Sequence, residues 1–299
     1  MTIDVRGIIP PMLTPLTESR QVDIAALNRL VEHLITGGVS GVFLLGTSGE
    51  GPWLSDAQSR VMVRETVRAV GGRVFVLVGL LQPSTPRVLD MLDWVQTSGA
   101  DAVVITTPFY YEADAATQEA HIRAVVEASA LPVVLYNIPS KTYNPLELEV
   151  LANVVNEPKI IALKDSSADF AFFLDALRIG HSRPGFRVLQ GSEQQSLAAM
   201  QHHADGIVPG LGNLIPDVFV KLLSAYESGQ SVQAEALQAQ IDALWELHMQ
   251  THWLVALKYA AFALGLCHWS TVGHPAPNTP ARQAIEQIVR RNAAVSLGL

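Results

Sequence analysis

The sequence predicts an α/β protein, a (β/α)8 TIM barrel with a C-terminal helical extension. Eight short apolar runs follow one another, and most are rich in Val, Ile and Leu without polar alternation, as is typical of parallel strands covered on both faces. A loop and a helical pattern follow each run, which favours a parallel sheet. After the eighth run only helical patterns remain. An open doubly wound sheet is the alternative, but it usually has fewer strands and a nucleotide-binding glycine fingerprint, which this sequence lacks.

The runs and their capping residues divide the chain into elements. Ser55-Asp56-Ala57-Gln58 has the pattern of a capping box, and Asn144-Pro145-Leu146-Glu147 predicts a second helix start. The eight predicted strands begin near Gly7, Gly41, Val74, Ala102, Pro132, Ile160, Phe186 and Gly206. Helices are predicted beyond the barrel at about 217–228, 231–248, 253–265 and 279–296. We therefore expect a barrel catalytic domain at residues 1–228 and a helical extension at 229–299.

Composition limits the classes of partner. The 299 residues are 49% hydrophobic, and 20 basic residues against 28 acidic ones give a net charge of −8. With no basic run, this argues against nucleic acid or an anionic membrane as partner. No apolar run approaches the ~18 residues of a membrane span, and the N-terminus lacks a signal-peptide pattern, so we expect a cytoplasmic protein. The single cysteine, Cys267, is expected to be a small core residue.

Reactive groups are expected where barrel strands end, because barrel active sites lie at the carboxyl ends of the strands. Lys164 ends the sixth run and Tyr136 the fifth, on neighbouring strands whose axes lie about 4.8 Å apart. Burial disfavours an ammonium ion, so a buried lysine can act as a nucleophile that forms a Schiff base. Taken alone, Lys164 is better explained as a strand-end side chain that reaches solvent or pairs with Asp165. The nearby phenol, which can transfer protons, favours an imine site.

Three other motifs bear on different chemistries. Gly46-Thr47-Ser48-Gly49-Glu50 lacks the ending of a P-loop; its hydroxyls and backbone N–H groups suit a carboxylate, although an ordinary glycine turn has the same pattern. His248 and His252 have the spacing of a helical zinc site, but the HExxH glutamate and a third ligand are missing, so no metal is predicted. The sequence has no GxSxG elbow that would indicate a serine hydrolase.

With these residues in place, the sequence resembles the dihydrodipicolinate synthase / N-acetylneuraminate lyase family of pyruvate-dependent class I aldolases. The resemblance covers nearly the whole chain. It depends on GTSGE at 46–50, TPFYY at 107–111, LYNIPSKT at 135–142 and ALKDSS at 162–167. It implies a (β/α)8 barrel with a C-terminal helical extension, no metal or organic cofactor, and a homotetramer built as a dimer of dimers.

The resemblance also implies roles for single residues. Lys164 matches the Schiff-base lysine, and Tyr136 matches the tyrosine that transfers protons to and from the substrate. Thr47 and Ser48 match the pair near the pyruvate carboxylate, and Thr47 also belongs to the proton relay. Tyr110 matches a tyrosine that reaches into a neighbouring subunit's site. The other expected substrate-binding residues are Lys141, Ser166, Gly191, Glu193 and Val208.

One position departs from the synthases of that family. They carry an arginine where this chain has Lys141, and an ammonium ion does not replace the bidentate fork of a guanidinium. Glu193 and Ser166 lie where sugar-handling relatives contact substrate hydroxyls. The sequence therefore predicts a Schiff-base aldolase or lyase that joins pyruvate to an aldehyde, or cleaves a 2-keto(-3-deoxy) acid into them. Dihydrodipicolinate synthase itself, a sugar-acid dehydratase using the same imine, and a non-catalytic ligand sensor or scaffold are the alternatives.

Overall fold

The computed structural model describes residues 3–292 and contains an eight-stranded parallel sheet. The strands are β1 Gly7–Ile8, β2 Gly41–Leu44, β3 Phe75–Gly79, β4 Ala102–Thr106, β5 Val133–Asn137, β6 Ile160–Asp165, β7 Arg187–Gln190 and β8 Gly206–Ile207. Each begins within one residue of its predicted start. The strand order is β1-β8-β7-β6-β5-β4-β3-β2. A parallel bridge between Pro11 and Phe43 joins the two ends of the sheet, so the predicted barrel is confirmed.

Helices follow the strands as the alternation predicted. Those of the barrel are α1 Ile24–Thr36, α2 Asp56–Val70, α3 Thr85–Val95, α4 Ala115–Ala128, α5 Pro139–Thr142, α6 Leu148–Val154, α7 Phe170–Gly180, α8 Ser196–Gln201 and α9 Pro216–Glu227. The capping box is confirmed, because the Ser55 side chain accepts a hydrogen bond from Gln58 N. These helices cover the outer face of the sheet and bury its outward-facing side chains.

The predicted helix start at Asn144 is wrong. Helix α6 begins at Leu148 with Glu147 as its N-cap. The Asn144 side chain instead binds the loop after β4: its Nδ2 donates to the carbonyl oxygens of Pro108 and Tyr111, each at 2.8 Å, and its Oδ1 accepts from Ala113 N. These long-range hydrogen bonds use the side-chain groups that the sequence pattern assigned to a local cap.

Two apolar clusters show which side chains face the barrel interior and which face the helices. Ala162 of β6 packs in the inner cluster with Phe43 and Tyr136, whereas Leu163 packs in the outer cluster beneath the helices. Successive side chains of a strand alternate between faces, so Lys164, two residues after Ala162, points inward.

The extension consists of α10 Ser231–Trp245, a 3₁₀ segment Glu246–Met249, α11 Trp253–Ala263 and α12 Thr279–Asn292. The predicted helix at 231–248 is therefore divided, with its last turn tightened to 3₁₀. The predicted end at 296 lies outside the described residues, and the domain boundary at 228 stays a prediction. Within residues 3–292, no helix is both long enough and apolar enough to span a bilayer.

Candidate active site

Lys164 and Tyr136 are register partners on neighbouring strands, β6 and β5. Lys164 is only 5% exposed, and its Nζ lies 4.1 Å from the ring centroid of Tyr136 and 5.2 Å from that of Phe43. Asp165 does not pair with it, because that carboxylate binds Asn137 and Ser167. Within residues 3–292, Lys164 Nζ has neither a hydrogen bond nor an ion pair. The lysine thus neither reaches bulk solvent nor pairs with its neighbour, and it presents its amine to an aromatic surface.

The loop after β2 places hydroxyl groups beside the phenol. Thr47 Oγ1 lies 3.4 Å from Tyr136 Oη, and either oxygen can donate. The Phe43 ring meets the Tyr136 ring edge-on, with centroids 6.0 Å apart, and so supports the orientation of the phenol. Ser48, the next residue in the loop, is buried. Thr47 and Tyr136 therefore form a short hydroxyl pair at the mouth of the barrel.

A buried ion pair holds this loop, and the sequence reasoning missed it. Glu50, in the left-handed conformation at φ 57°, pairs with Lys258 of α11, and both side chains are fully buried. The other Glu50 oxygen accepts from Val272 N at 2.6 Å, and Lys258 Nζ also donates to Ser270 O at 2.6 Å. The available signal was a lone lysine in the otherwise apolar stretch of α11. The extension thereby positions the loop that carries Thr47 and Ser48.

A cavity of about 440 Å³ opens above Lys164. Of the predicted site residues, it is lined by Lys164, Tyr136, Thr47, Ser48, Lys141, Ser166, Gly191, Glu193 and Val208. Trp245, His248 and Trp253 of the extension also line it and were not predicted. We refer to this space as the catalytic cavity.

Tyr110 is the predicted site residue that does not reach the catalytic cavity. Its side chain is 84% exposed and packs edge-on against Tyr111. Its φ of 83° is unusual for a residue with a side chain. An action of Tyr110 in the site of a neighbouring subunit stays a prediction.

Glu193 is a buried acid in the wall of the catalytic cavity. Burial raises its pKa to about 7, while N–H groups of Leu211 and Gly210 and the positive charge of Lys164 act in the opposite direction. Leu211 N donates to Glu193 Oε1. Because its pKa lies near neutrality, Glu193 can exchange a proton or a hydrogen bond with a polar substrate.

Gly191 allows the backbone after β7 to approach Lys164. A Cβ at this position would lie 2.0 Å from Ser166 Oγ and 3.0 Å from Lys164 Cε. Only glycine therefore fits beside the lysine without displacing both side chains.

The two histidines with zinc-site spacing face different surroundings. His248 lines the catalytic cavity, packs against Trp245 and has its pKa lowered to about 4 by burial. His252 instead stacks on His274 with centroids 3.8 Å apart. Across residues 3–292, no group of three or more His, Cys, Asp or Glu side chains is arranged to hold a metal ion.

Known proteins resemble this chain over its length. Residues 4–292 match the model of the dihydrodipicolinate synthetase family. A 4-hydroxy-tetrahydrodipicolinate synthase of Phenylobacterium zucineum is 32% identical over 282 residues, which is 93% of each protein. An uncharacterized DapA-like lyase of Halobacterium salinarum is 33% identical over 239 residues, 80% of this chain and 78% of the relative.

Solved structures agree with these sequence matches. The dihydrodipicolinate synthase of Bacteroides thetaiotaomicron has a TM-score of 0.92 at 29% identity and covers 97% of this chain and 100% of its own. YagE, a dihydrodipicolinic acid synthase family protein of E. coli K12 solved in complex with pyruvate, has a TM-score of 0.92 at 25% identity, over 96% of this chain and 98% of its own. These matches are to enzymes, so they favour an enzyme over a non-catalytic scaffold. The chain belongs to the dihydrodipicolinate synthetase family and is an aldolase-type lyase.

Proposed function

We propose that this protein is a Schiff-base aldolase that joins pyruvate to an aldehyde, or cleaves the resulting 2-keto acid. The observation that carries the proposal is a buried lysine, placed against a tyrosine ring at the base of a cavity, that has no ion-pair partner within residues 3–292. A lysine in this position faces the substrate and is not held in an ion pair by any described residue, as suits a nucleophilic amine.

The neutral amine of Lys164 attacks the C2 carbonyl of pyruvate. Tyr136, hydrogen-bonded to Thr47, transfers protons as the carbinolamine loses water and becomes an imine. Loss of a proton from C3 gives an enamine, and attack of C3 on an aldehyde forms the new carbon–carbon bond. Water then hydrolyses the imine and frees the lysine. The reverse sequence cleaves a 2-keto acid.

The lining residues divide between the two substrates. Thr47, which contacts Tyr136, and Ser48, the next residue of the same loop, suit the pyruvate carboxylate, while Gly191 permits the close approach of the backbone to Lys164. We assign Lys141, Ser166 and Glu193, which also line the catalytic cavity, to the aldehyde. The proposal also includes a homotetramer in the cytoplasm, with Tyr110 completing the proton relay of a neighbouring subunit.

A second candidate is 4-hydroxy-tetrahydrodipicolinate synthase, the activity for which the Phenylobacterium zucineum relative is named. The same imine would serve it, and also a sugar-acid dehydratase. Lys141 argues against the synthase, which carries an arginine at this position. An ammonium ion binds a carboxylate less specifically than a guanidinium does. Product analysis after incubation with pyruvate and aspartate semialdehyde, and with a sugar acid alone, separates the three activities.

Trapping the imine tests the proposal. Borohydride added with pyruvate should leave a reduced pyruvate adduct on the peptide that contains Lys164, as seen by mass spectrometry. The peptide that contains Lys258 is the internal control, since that lysine is buried and ion-paired. An adduct on neither peptide in folded protein would contradict the proposal.

A further inference from the structure

A second cavity, of about 270 Å³, is formed where the barrel meets the extension. The turn between β1 and α1 contributes Glu18 and Arg20 to its lining. The segment between α11 and α12 contributes the other residues, which are His268, Trp269, Ser270, Thr271 and His274. None of these residues lines the catalytic cavity, so the two spaces are separate.

Arg20 brings a positive charge to the second cavity that the described chain does not neutralise. Across residues 3–292, its side chain takes part in no hydrogen bond and no ion pair. Its φ of 61° lies in the left-handed region that favours glycine, and its N–H donates to Thr17 O at 2.9 Å to close the turn. Because a glycine would form this turn with less strain, the backbone does not require an arginine here.

The opposite charge in the lining belongs to Glu18, which has a neighbour of its own. The Glu18 side chain is 89% exposed, and its Oε1 lies 3.7 Å from His268 Nε2. The other nitrogen of that ring, Nδ1, lies 2.7 Å from Ser270 Oγ. Trp269, between these two residues in the chain, adds an aromatic surface. The cavity therefore offers a guanidinium and an indole ring, which together suit an anion with a planar body.

The segment that lines the second cavity also holds the loop after β2 by hydrogen bonds. Ser270 O accepts from Lys258 Nζ at 2.6 Å, and Val272 N donates to a Glu50 oxygen at 2.6 Å. Glu50 belongs to the loop that carries the hydroxyl groups of the catalytic cavity. The two cavities are thus connected by one short stretch of backbone.

A ring contact joins the same segment to the end of that loop. His274 packs against Trp53 with ring centroids 5.0 Å apart. Trp53 belongs to the 3₁₀ turn Gly51–Trp53, which directly follows Glu50. A ligand that binds only the ordered segment therefore also stabilises the loop after β2.

We propose that the second cavity is an effector site for a small organic anion, a carboxylate or phosphate with a planar body, and that its binding strengthens the binding of pyruvate. The anionic group binds the Arg20 guanidinium through two hydrogen bonds, and the body packs against Trp269. The effect on pyruvate rests on the proposed function, whereas the binding of the anion does not. Because such coupling is reciprocal, pyruvate strengthens the binding of the anion by the same factor.

Titration calorimetry of the full-length protein with benzoate, and separately with inorganic phosphate, tests the site. We expect both anions to bind, and benzoate more tightly, because phosphate has no ring to place on Trp269. Arg20→Gly should weaken both by about tenfold or more, with an unchanged thermal transition because glycine accepts the φ of this turn. Arg178→Gln is the matched control, since it removes an exposed arginine of α7 that lines neither cavity.

The effect on catalysis is measured as the KM for pyruvate with and without saturating benzoate. We expect benzoate to lower this KM by about fivefold with little change in kcat. Arg20→Gly should have the KM of the benzoate-free wild type and should not respond to benzoate. Glu18→Gln should bind benzoate at least as tightly as the wild type, because it removes a negative charge from the lining.

Each part of the proposal can fail separately. Equal binding of the anions by the wild type and Arg20→Gly, or binding of neither anion, would overturn the site. Weaker benzoate binding by Glu18→Gln would indicate a ligand with an ammonium group and would overturn the anion. An unchanged or higher KM with benzoate bound would overturn the effector role. If borohydride trapped no pyruvate adduct, the proposed function would fail, while calorimetry would still decide whether the anion binds.

Discussion

Two buried lysines in this molecule have opposite surroundings. Lys258 is fully buried, pairs with Glu50 and donates to Ser270 O. Lys164 is 5% exposed and lies against the rings of Tyr136 and Phe43, without an ion pair or hydrogen bond within residues 3–292. Burial lowers the pKa of Lys258, whereas the Glu50 carboxylate counteracts this change.

The difference shows how surroundings separate a structural lysine from a reactive one. Desolvation of a buried ammonium ion costs several kcal/mol unless a counter-ion and hydrogen bonds offset it. Lys258 has both, and it joins the extension to the loop after β2. Lys164 has neither and opens into a cavity, so its amine is available to a substrate. The predictions below test this contrast, beginning with the largest expected effect.

Lys164→Ala should reduce turnover by about 10⁴-fold or more, because the covalent step has no substitute nucleophile. The thermal transition should remain close to that of the wild type, since Lys164 bonds to no described residue. Steady-state assays and thermal unfolding measure both effects. Retention of turnover in the alanine variant would show that the reactive amine lies elsewhere.

Lys258→Met should mainly reduce stability, whereas Lys164→Ala mainly reduces turnover. We expect it to destabilise the fold by about 3–5 kcal/mol, because it leaves the Glu50 carboxylate buried without a counter-ion. Urea unfolding measures this loss. The double variant Glu50→Gln/Lys258→Met should recover most of it, since no buried charge remains. If the single variant were as stable as the wild type, the ion pair would not hold the loop.

Tyr136→Phe should reduce kcat by about 10²-fold, because the phenolic hydroxyl transfers protons in several steps. Its stability should change little, since within residues 3–292 the hydroxyl makes a single long hydrogen bond, at 3.4 Å to Thr47. In a second variant, Thr47→Val, we expect a smaller reduction of kcat. An unchanged kcat in Tyr136→Phe would exclude the proposed relay.

Glu193 should make stability depend on pH. Its pKa is about 7 in the fold against 4.5 in its ordinary state, so the folded protein binds the extra proton between these values. The free energy of unfolding is therefore highest below about pH 4.5 as far as Glu193 is concerned, and it falls as the pH rises from about 4.5 to about 7. Glu193→Gln should remove this loss, which amounts to roughly 3 kcal/mol across the range. If the free energy of unfolding changed with pH in the same way in the variant and the wild type, the raised pKa of Glu193 would be contradicted.

Much of the fold was predictable because it depends on local patterns. Continuous apolar runs predicted all eight strands, and Ser55 marked a helix start through its own neighbours. The proximity of Lys164 and Tyr136 also followed, because consecutive strands of a barrel are neighbours and reactive side chains gather at one end.

What was not predictable depends on contacts between distant segments. Asn144 has the sequence of a helix cap, but the loop after β4 binds its side chain. Glu50 and Lys258 are 208 positions apart, and no periodicity relates them. Trp53, His252 and His274 come from three separate segments, and their rings pack together only in the folded chain.

The bond between Glu50 and Lys258 has a consequence for biosynthesis. During translation Glu50 is synthesised long before Lys258, so the nascent barrel carries a carboxylate whose partner has not yet been made. The hydroxyl-bearing loop reaches its final shape only when α11 and the Ser270–Val272 segment arrive. The loop that carries Thr47 and Ser48 is therefore completed late in synthesis, and a chain cut off before α11 would lack the partner of Glu50.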